Sequence, residues 1–140
     1  MTKIRFYILK GTQAEDRQLF ACRLAEKALR LGHHIYIHTD NTEQSEQLDR
    51  ALWSFRADSF VPHQLNEGDD TDCPVLIGHD SPPSRLMDFI INLSSNQPVF
   101  FSQFEHMAEL LNDVTEIKQA GRERFRFYQQ RGYEIETHHL

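Results

Sequence analysis

The chain lacks any apolar run near the roughly 18 residues that a membrane-crossing helix needs, which excludes a transmembrane helix. Its opening MTKIRFYILKG holds a short apolar stretch but no A-x-A-like cleavage site, which speaks against a secretory signal. Cysteine is scarce. Cys22 and Cys73 stand far apart and make neither a disulfide framework nor a zinc cage. A reducing, cytoplasmic setting fits that usage. Repeats, low-complexity tracts and long linkers are all missing, so residues 1–140 read as one compact domain with its own core. The chain also lacks a cationic excess. Its formal charge of -6 argues against a surface built to coat duplex DNA. What it does have is a globular balance of 39% hydrophobic and 26% charged residues. Ten Phe, four Tyr and one Trp give bulk to a core.

The cations are unevenly placed. Between Ile117 and Tyr133 the chain reads IKQAGRERFRFYQQRGY, with Lys118, Arg122, Arg124, Arg126 and Arg131 against Glu123 alone. At about 100° per residue, Lys118, Arg122, Phe125, Arg126 and Gln129 fall on one helical face. A solvated helix face is one reading, and cations near a helix C-terminus also suit the helix dipole. A second is a site for an acidic, apolar-tipped peptide, whose carboxylates arginine forks would hold while the aromatic receives the apolar group. A phosphate or single-stranded nucleic-acid site would use similar residues.

Along the chain, Lys3–Leu9 is apolar on both faces and predicts a buried strand. Thr12 and Glu15 form a T-x-x-E capping box. Ala21, Leu24, Ala25, Ala28 and Leu31 make a helical stripe that Gly32 terminates. His33–Thr39 predicts a second strand. Asp40 with Glu43, or Asn41 with Gln44, can cap the next helix, whose inward residues are Leu48, Ala51, Leu52 and Phe55. A long connection follows over Arg56–Pro74. Shorter strands are predicted at Val75–Ile77, Phe89–Leu93 and Val99–Phe101. Ser102 and Glu105 suggest a further capping box, before Phe104, Met107, Ala108 and Leu111 at helical spacing. Thr115–Arg131 is the last helix, ended by Gly132, and Tyr133–Thr137 alternates like an edge strand. The β-α-β-α opening implies parallel pairing. The fold class is α/β: a mostly parallel central sheet with helices on its faces, mononucleotide-binding-like (Rossmann-like), without a phosphate loop.

The chemical motifs are thin. The turn Lys10–Glu15 has neither G-x-x-x-x-G-K-[ST] nor G-x-G-x-x-G. Glu15 and Asp16 in the first helical turn would repel a phosphate. His33, His34 and His38 alternate across a strand with no carboxylate or Cys at zinc-like spacing, so they read as structural histidines. Asp69, Asp70 and Asp72 resemble a cation loop only loosely and read as a solvated loop. His79, Asp80 and Ser81 hold triad residue types at consecutive positions that do not form triad geometry. No base neighbours either Cys. No catalytic residue, metal ligand or cofactor site is predicted.

Trp53 is different. ALWSFRADSFVPHQL (Ala51–Leu65) gathers Trp53, Phe55 and Phe60 at a helix end and the loop after it. Phe55 reads as core; the other two read as buried in the domain or in a partner protein. This segment resembles the A-L-W-x-x-x-x-x-S-F-[VIL]-P-H segment of the chi subunit of bacterial DNA polymerase III. AGRERFRFYQQRGYEIETH resembles that family's A-R-E-R-[WY]-[KR]-x-Y-[KR]-x-x-G-[YF]-x-[LI] ending. The K-[IV]-x-F-Y-[IL] opening and the layout of elements match too, so the resemblance spans essentially the whole chain.

The resemblance implies an adaptor within the clamp-loader assembly, with no nucleotidase role of its own. One surface would bind the psi subunit, or a repair helicase in its place. Another would bind the acidic C-terminal tail of single-stranded DNA-binding protein. Carried over by position, the tail site is Arg122, Phe125, Arg126 and Tyr128, with Lys118 added from the helical wheel. Gln129 stands where the family commonly has a basic residue. The psi surface centres on Phe60, with Trp53, Val61, Pro62 and His63 near it. Exposed ion pairs contribute only about 0–1 kcal/mol each, so one tail should bind at micromolar order, aided by several tails on one coated strand. The competing expectations are a nucleotide or phosphoester enzyme using the α/β crevice, and a direct single-stranded nucleic-acid binder through the last helix.

Overall fold

A computed structural model describes residues 1–67 and 71–140. Asp69 and Asp70 of the cation-loop reading lie outside the described residues. The elements run β1 (Lys3–Ile8), α1 (Ala14–Arg30), β2 (Ile35–His38), α2 (Thr42–Ser54), β3 (Gln64–Leu65), β4 (Val75–Gly78), β5 (Phe89–Asn92), a 3-10 turn (Phe101–Gln103), β6 (His106–Leu111), α3 (Thr115–Gln130) and β7 (Ile135–His139). The strands form one sheet in the order β3-β4-β2-β5-β6-β1-β7. Every pairing is parallel, giving a Rossmann-like α/β fold.

Alternation along the strands splits the core into two layers. Ile35, Ile37, Val75, Ile77, Ile91 and Leu110 face α1 and α2 through Ala21, Cys22, Ala25, Leu48 and Leu52. Ile4, Phe6, Tyr36, Leu76, Ile90 and Met107 face the other way, toward Tyr128 of α3. Among the described residues, one long helix, α3, covers that second face. Phe100, Phe101 and Phe104, carried on the 3-10 turn and its flanks, fill the remaining width.

Two expectations are corrected there. Val99–Phe101 is not a strand: it runs through a turn into the 3-10 segment. The helix expected after Ser102 is strand β6, paired between β5 and β1. Met107, Ala108 and Leu111 do sit at helical spacing. In a short run buried on both faces, however, apolar residues occur at nearly every position and periodicity no longer separates strand from helix. The first cap is displaced as well. Gln13, not Thr12, is the N-cap, and its N–H donates to the Asp16 carboxylate at 3.3 Å. For α2 the Asn41–Gln44 alternative holds: the Gln44 N–H donates to Asn41 Oδ1 at 2.9 Å, and Gln44 Oε1 accepts from the Asp40 N–H at 2.6 Å. Gly32 and Gly132 close their helices at φ 89 and 80, the left-handed region that glycine enters without strain.

His38, at the end of β2, packs edge-on to Phe100, and its buried Nδ1 has no hydrogen-bond partner among the described residues. Burial pushes its imidazole down to about 4 from an ordinary 6.5, against the opposing pull of Asp40. A base with a depressed folded pKa stabilises the fold above its unfolded value, and that contribution is lost as pH falls from about 6.5 through about 4. Chemical denaturation at pH 7 and pH 4.5 should therefore show a larger loss of stability for the native chain than for His38→Phe. Equal losses would contradict this account of His38.

Candidate functional site

Ligands of open α/β sheets bind beyond the carboxyl ends of the strands. In this chain that place is occupied by the protein's own groups. Arg17, from the first turn of α1, donates through Nε to the Leu110 carbonyl at 3.0 Å and through Nη2 to the Leu93 carbonyl at 2.9 Å. Asp40 Oδ1 accepts from the N–H and the hydroxyl of Ser95, both at 2.8 Å. The space left between Arg17, Asp40, Ser94, Ser95, Ile117 and Arg124 is about 120 Å³.

Beside it lies a buried ionic network that sequence reasoning missed. Glu109 of β6 is fully buried. Arg124 grips it with two prongs, Nε to Oε2 at 3.0 Å and Nη2 to Oε1 at 3.1 Å. The Tyr128 hydroxyl donates to Oε2 at 2.7 Å, and Asn92 Nδ2 donates to Oε1 at 3.0 Å. Arg124 Nη1 also donates to the Ser95 carbonyl at 3.0 Å. Burial, with the Glu109 carboxylate beside it, drives the Tyr128 phenol far above its ordinary value, so it remains a donor. One signal was available: Glu109 is an isolated acid in an apolar run, and such a group needs a buried cation.

This network sets which side of α3 faces out. Gly121, Arg124 and Tyr128 point inward. Arg122, Arg126 and Gln129 are exposed, and Phe125 is half-buried with its ring edge-on to Phe6 at 5.3 Å. Lys118 lies on the same flank and donates from Nζ to Asp113 Oδ1 at 2.8 Å. The expected face is therefore assembled, with two corrections. Tyr128 is buried and touches Glu109 rather than solvent, so it supports the helix from beneath. Arg124, counted among the clustered cations, is spent on the core.

The second surface lies at the end of α2, against the opposite side of the sheet from α3. Trp53 is 59% exposed and Phe60 66%, with ring centroids 5.7 Å apart. The His63 ring lies beneath Trp53 at 4.8 Å, its side chain enclosed, with its nitrogens facing the Val61 carbonyl at 2.6 Å and Asp49 Oδ1 at 3.2 Å. Val61 is fully buried in the core and Pro62 is half-buried. Of the five residues expected here, Trp53 and Phe60 are presented outward, while Val61 and His63 anchor the loop. Glu26 of α1 holds the same loop by contacts to Arg56 and Ser59. A cleft of about 380 Å³ opens beside Phe60, lined by Leu29, Arg56 and Val61.

Among the described residues no three His, Cys, Asp or Glu side chains converge as metal ligands, and no helix is long and apolar enough to cross a membrane. Burial pushes the Cys22 thiol up to about 12, which makes it unreactive.

This is a parallel α/β domain whose strand ends are bridged by Arg17 and Asp40 and which turns an aromatic pair out on one side and a cationic helix flank on the other. Residues 1–136 match the family model described as "DNA polymerase III chi subunit, HolC", and the chain belongs to that family of DNA replication proteins. It is 41% identical over 140 residues to the DNA polymerase III subunit chi of Pseudomonas aeruginosa, covering 100% of this chain and 98% of that protein. The chi subunit of Escherichia coli is 29% identical, covering 98% of this chain and 97% of its own length. That of Haemophilus influenzae is 27% identical, covering 97% and 96%.

Proposed function

We propose that the domain is an accessory adaptor of the polymerase III holoenzyme, carrying out no chemistry of its own. The α3 flank takes the acidic C-terminal tail of single-stranded DNA-binding protein. The Trp53–Phe60 surface takes the psi subunit, or a repair helicase in its place. The observation that carries this reading is the placement of two outward-facing surfaces on opposite sides of one sheet, which leaves both free to bind at once. The contacts at the strand ends support it further, because a nucleotide seated there would have to displace those of Arg17 and Asp40.

On α3, Arg122 and Arg126 are exposed cations with no acidic partner among the described residues. Phe125 lies beside them to receive an apolar side chain. Such pairing is screened by salt. A fluorescent peptide ending in aspartates, an apolar pair and a free carboxylate should bind at micromolar order, and Arg122→Ala should weaken it by about two- to fivefold. Raising salt from about 50 to 300 mM should weaken it further. Affinity indifferent to both would return α3 to a solvated face, and tighter binding of bare oligonucleotide than of the peptide would favour direct nucleic-acid contact.

A further inference from the structure

The sheet has one long open edge. β7 pairs with β1 and with no other strand among the described residues. The Glu134 carbonyl accepts from the Ile4 N–H at 3.0 Å, and the Leu140 N–H donates to the Ile8 carbonyl at 3.0 Å. Backbone groups alternate sides along a strand, so the even-numbered residues of β7 spend theirs on β1. Ile135, Thr137 and His139 turn both N–H and C=O outward. No proline, lysine or bulge blunts this edge, and Glu136–His139 are exposed. At the other end of the sheet, β3 is only two residues long and offers far less to pair with.

We propose that β7 pairs antiparallel with β7 of a second copy of this chain, about a two-fold axis through Thr137, joining the two sheets into one. The register follows from hydrogen bonding and charge together. With the axis at Thr137, Thr137 faces its own copy and Ile135 faces His139. Each of these residues has outward backbone groups, so every one finds a partner. The residues between them form non-hydrogen-bonded pairs, where side chains approach most closely, with Cα atoms about 4.5 Å apart. There Glu136 meets His138 of the second copy, and His138 meets Glu136.

Neighbouring registers fail on both counts. An axis at Glu136 leaves His139 unpaired and sets two carboxylates face to face. One at His138 leaves Ile135 unpaired and opposes two imidazoles. An imidazole N–H can donate to a carboxylate set opposite it, whereas like charges directly opposite destabilise the pair. Glu136 already collects Arg5 Nε at 3.1 Å and His138 Nε2 at 3.5 Å within its own chain. Pairing across the edge extends that cluster to both copies. The pairing uses only the backbone and side chains of β7, none of which the adaptor reading employs, so the inference does not rest on that reading.

An edge contact of this length buries less than the roughly 1,200 Å² of stable complexes, so association is weak. Sedimentation of the full chain from about 10 µM to 1 mM should show the mass rising from 16.5 kDa toward twice that value. Thr137→Pro removes an outward N–H while leaving the ladder to β1 intact, and should hold the chain monomeric over that range. His138→Glu sets like charges opposite one another and should weaken association at least several-fold. His138→Lys, which loses the same imidazole but sets a cation opposite Glu136, should retain it. A constant monomer mass at every concentration overturns the proposal. A dimer indifferent to Thr137→Pro, or one that treats His138→Glu and His138→Lys alike, overturns it too.

Discussion

Glu109→Ala should be among the most damaging single substitutions in the chain. It leaves the Arg124 guanidinium, 6% exposed, without its carboxylate, and strips an acceptor from Tyr128 and Asn92. Removing one partner of a buried ion pair costs about 3–5 kcal/mol. Against the ~5–15 kcal/mol that stabilises a typical domain, that is a large share. For a chain of this length the melting temperature should fall by about 10 °C or more. The paired substitution Glu109→Met with Arg124→Met removes both charges together and should recover much of the loss, because no uncompensated ion is left behind. Thermal unfolding followed by circular dichroism measures both. A Glu109→Ala melt within about 2 °C of the native chain would mean that the network contributes little.

The consequence reaches function through α3. Arg124 and Tyr128 tie this helix to β6, and the same contacts fix which way Arg122 and Arg126 point. An Arg124 loss is therefore expected to lower both stability and tail affinity, whereas Arg122→Ala should lower affinity alone.

Phe60→Ala is expected to produce the opposite pattern. Phe60 is 66% exposed, so its truncation should leave the melt nearly unchanged. If this ring and Trp53 form the centre of the psi interface, removing either should cost about 2–4 kcal/mol of binding, which is roughly 30- to 1000-fold in affinity. Val61→Ala provides the contrast. Val61 is fully buried in the core, so it should lower stability by about 1–3 kcal/mol whatever happens to binding. Titration calorimetry against psi, with melts run alongside, separates the two. Unchanged affinity in both Phe60→Ala and Trp53→Ala would move the psi surface elsewhere on the domain.

The strongest sequence signals carried through to the structure. The stripe of α1 from Ala21 to Ala28, the glycine stops and the alternating β7 all rest on local periodicity or turn chemistry, which a single chain displays openly. Leu31, expected in that stripe, is instead the exposed C-cap, because the helix ends at Arg30. β6 was harder, because its partners β5 and β1 come from distant parts of the chain and only they explain why HMAELL is extended. The cationic flank of α3 was legible as a pattern. Its division of labour was not, since Arg122, Arg124 and Arg126 look alike in sequence and only Arg124 meets Glu109. The Trp53–Phe60 segment was legible as an aromatic cluster near a helix end. That Val61 and His63 face inward while Phe60 faces out depends on Leu48 and Leu52 on one side and Trp53 on the other, which is a matter of packing.

The adaptor account stands or falls on simultaneous occupancy. The most direct measurement is the affinity of the acidic tail peptide for the free domain and for the domain saturated with psi, by fluorescence anisotropy. Affinities within about twofold of each other, with Arg122→Ala losing only the peptide and Phe60→Ala losing only psi, are the expected result. Competition between psi and the peptide, or loss of both partners on either substitution, would place them on one surface and contradict the account.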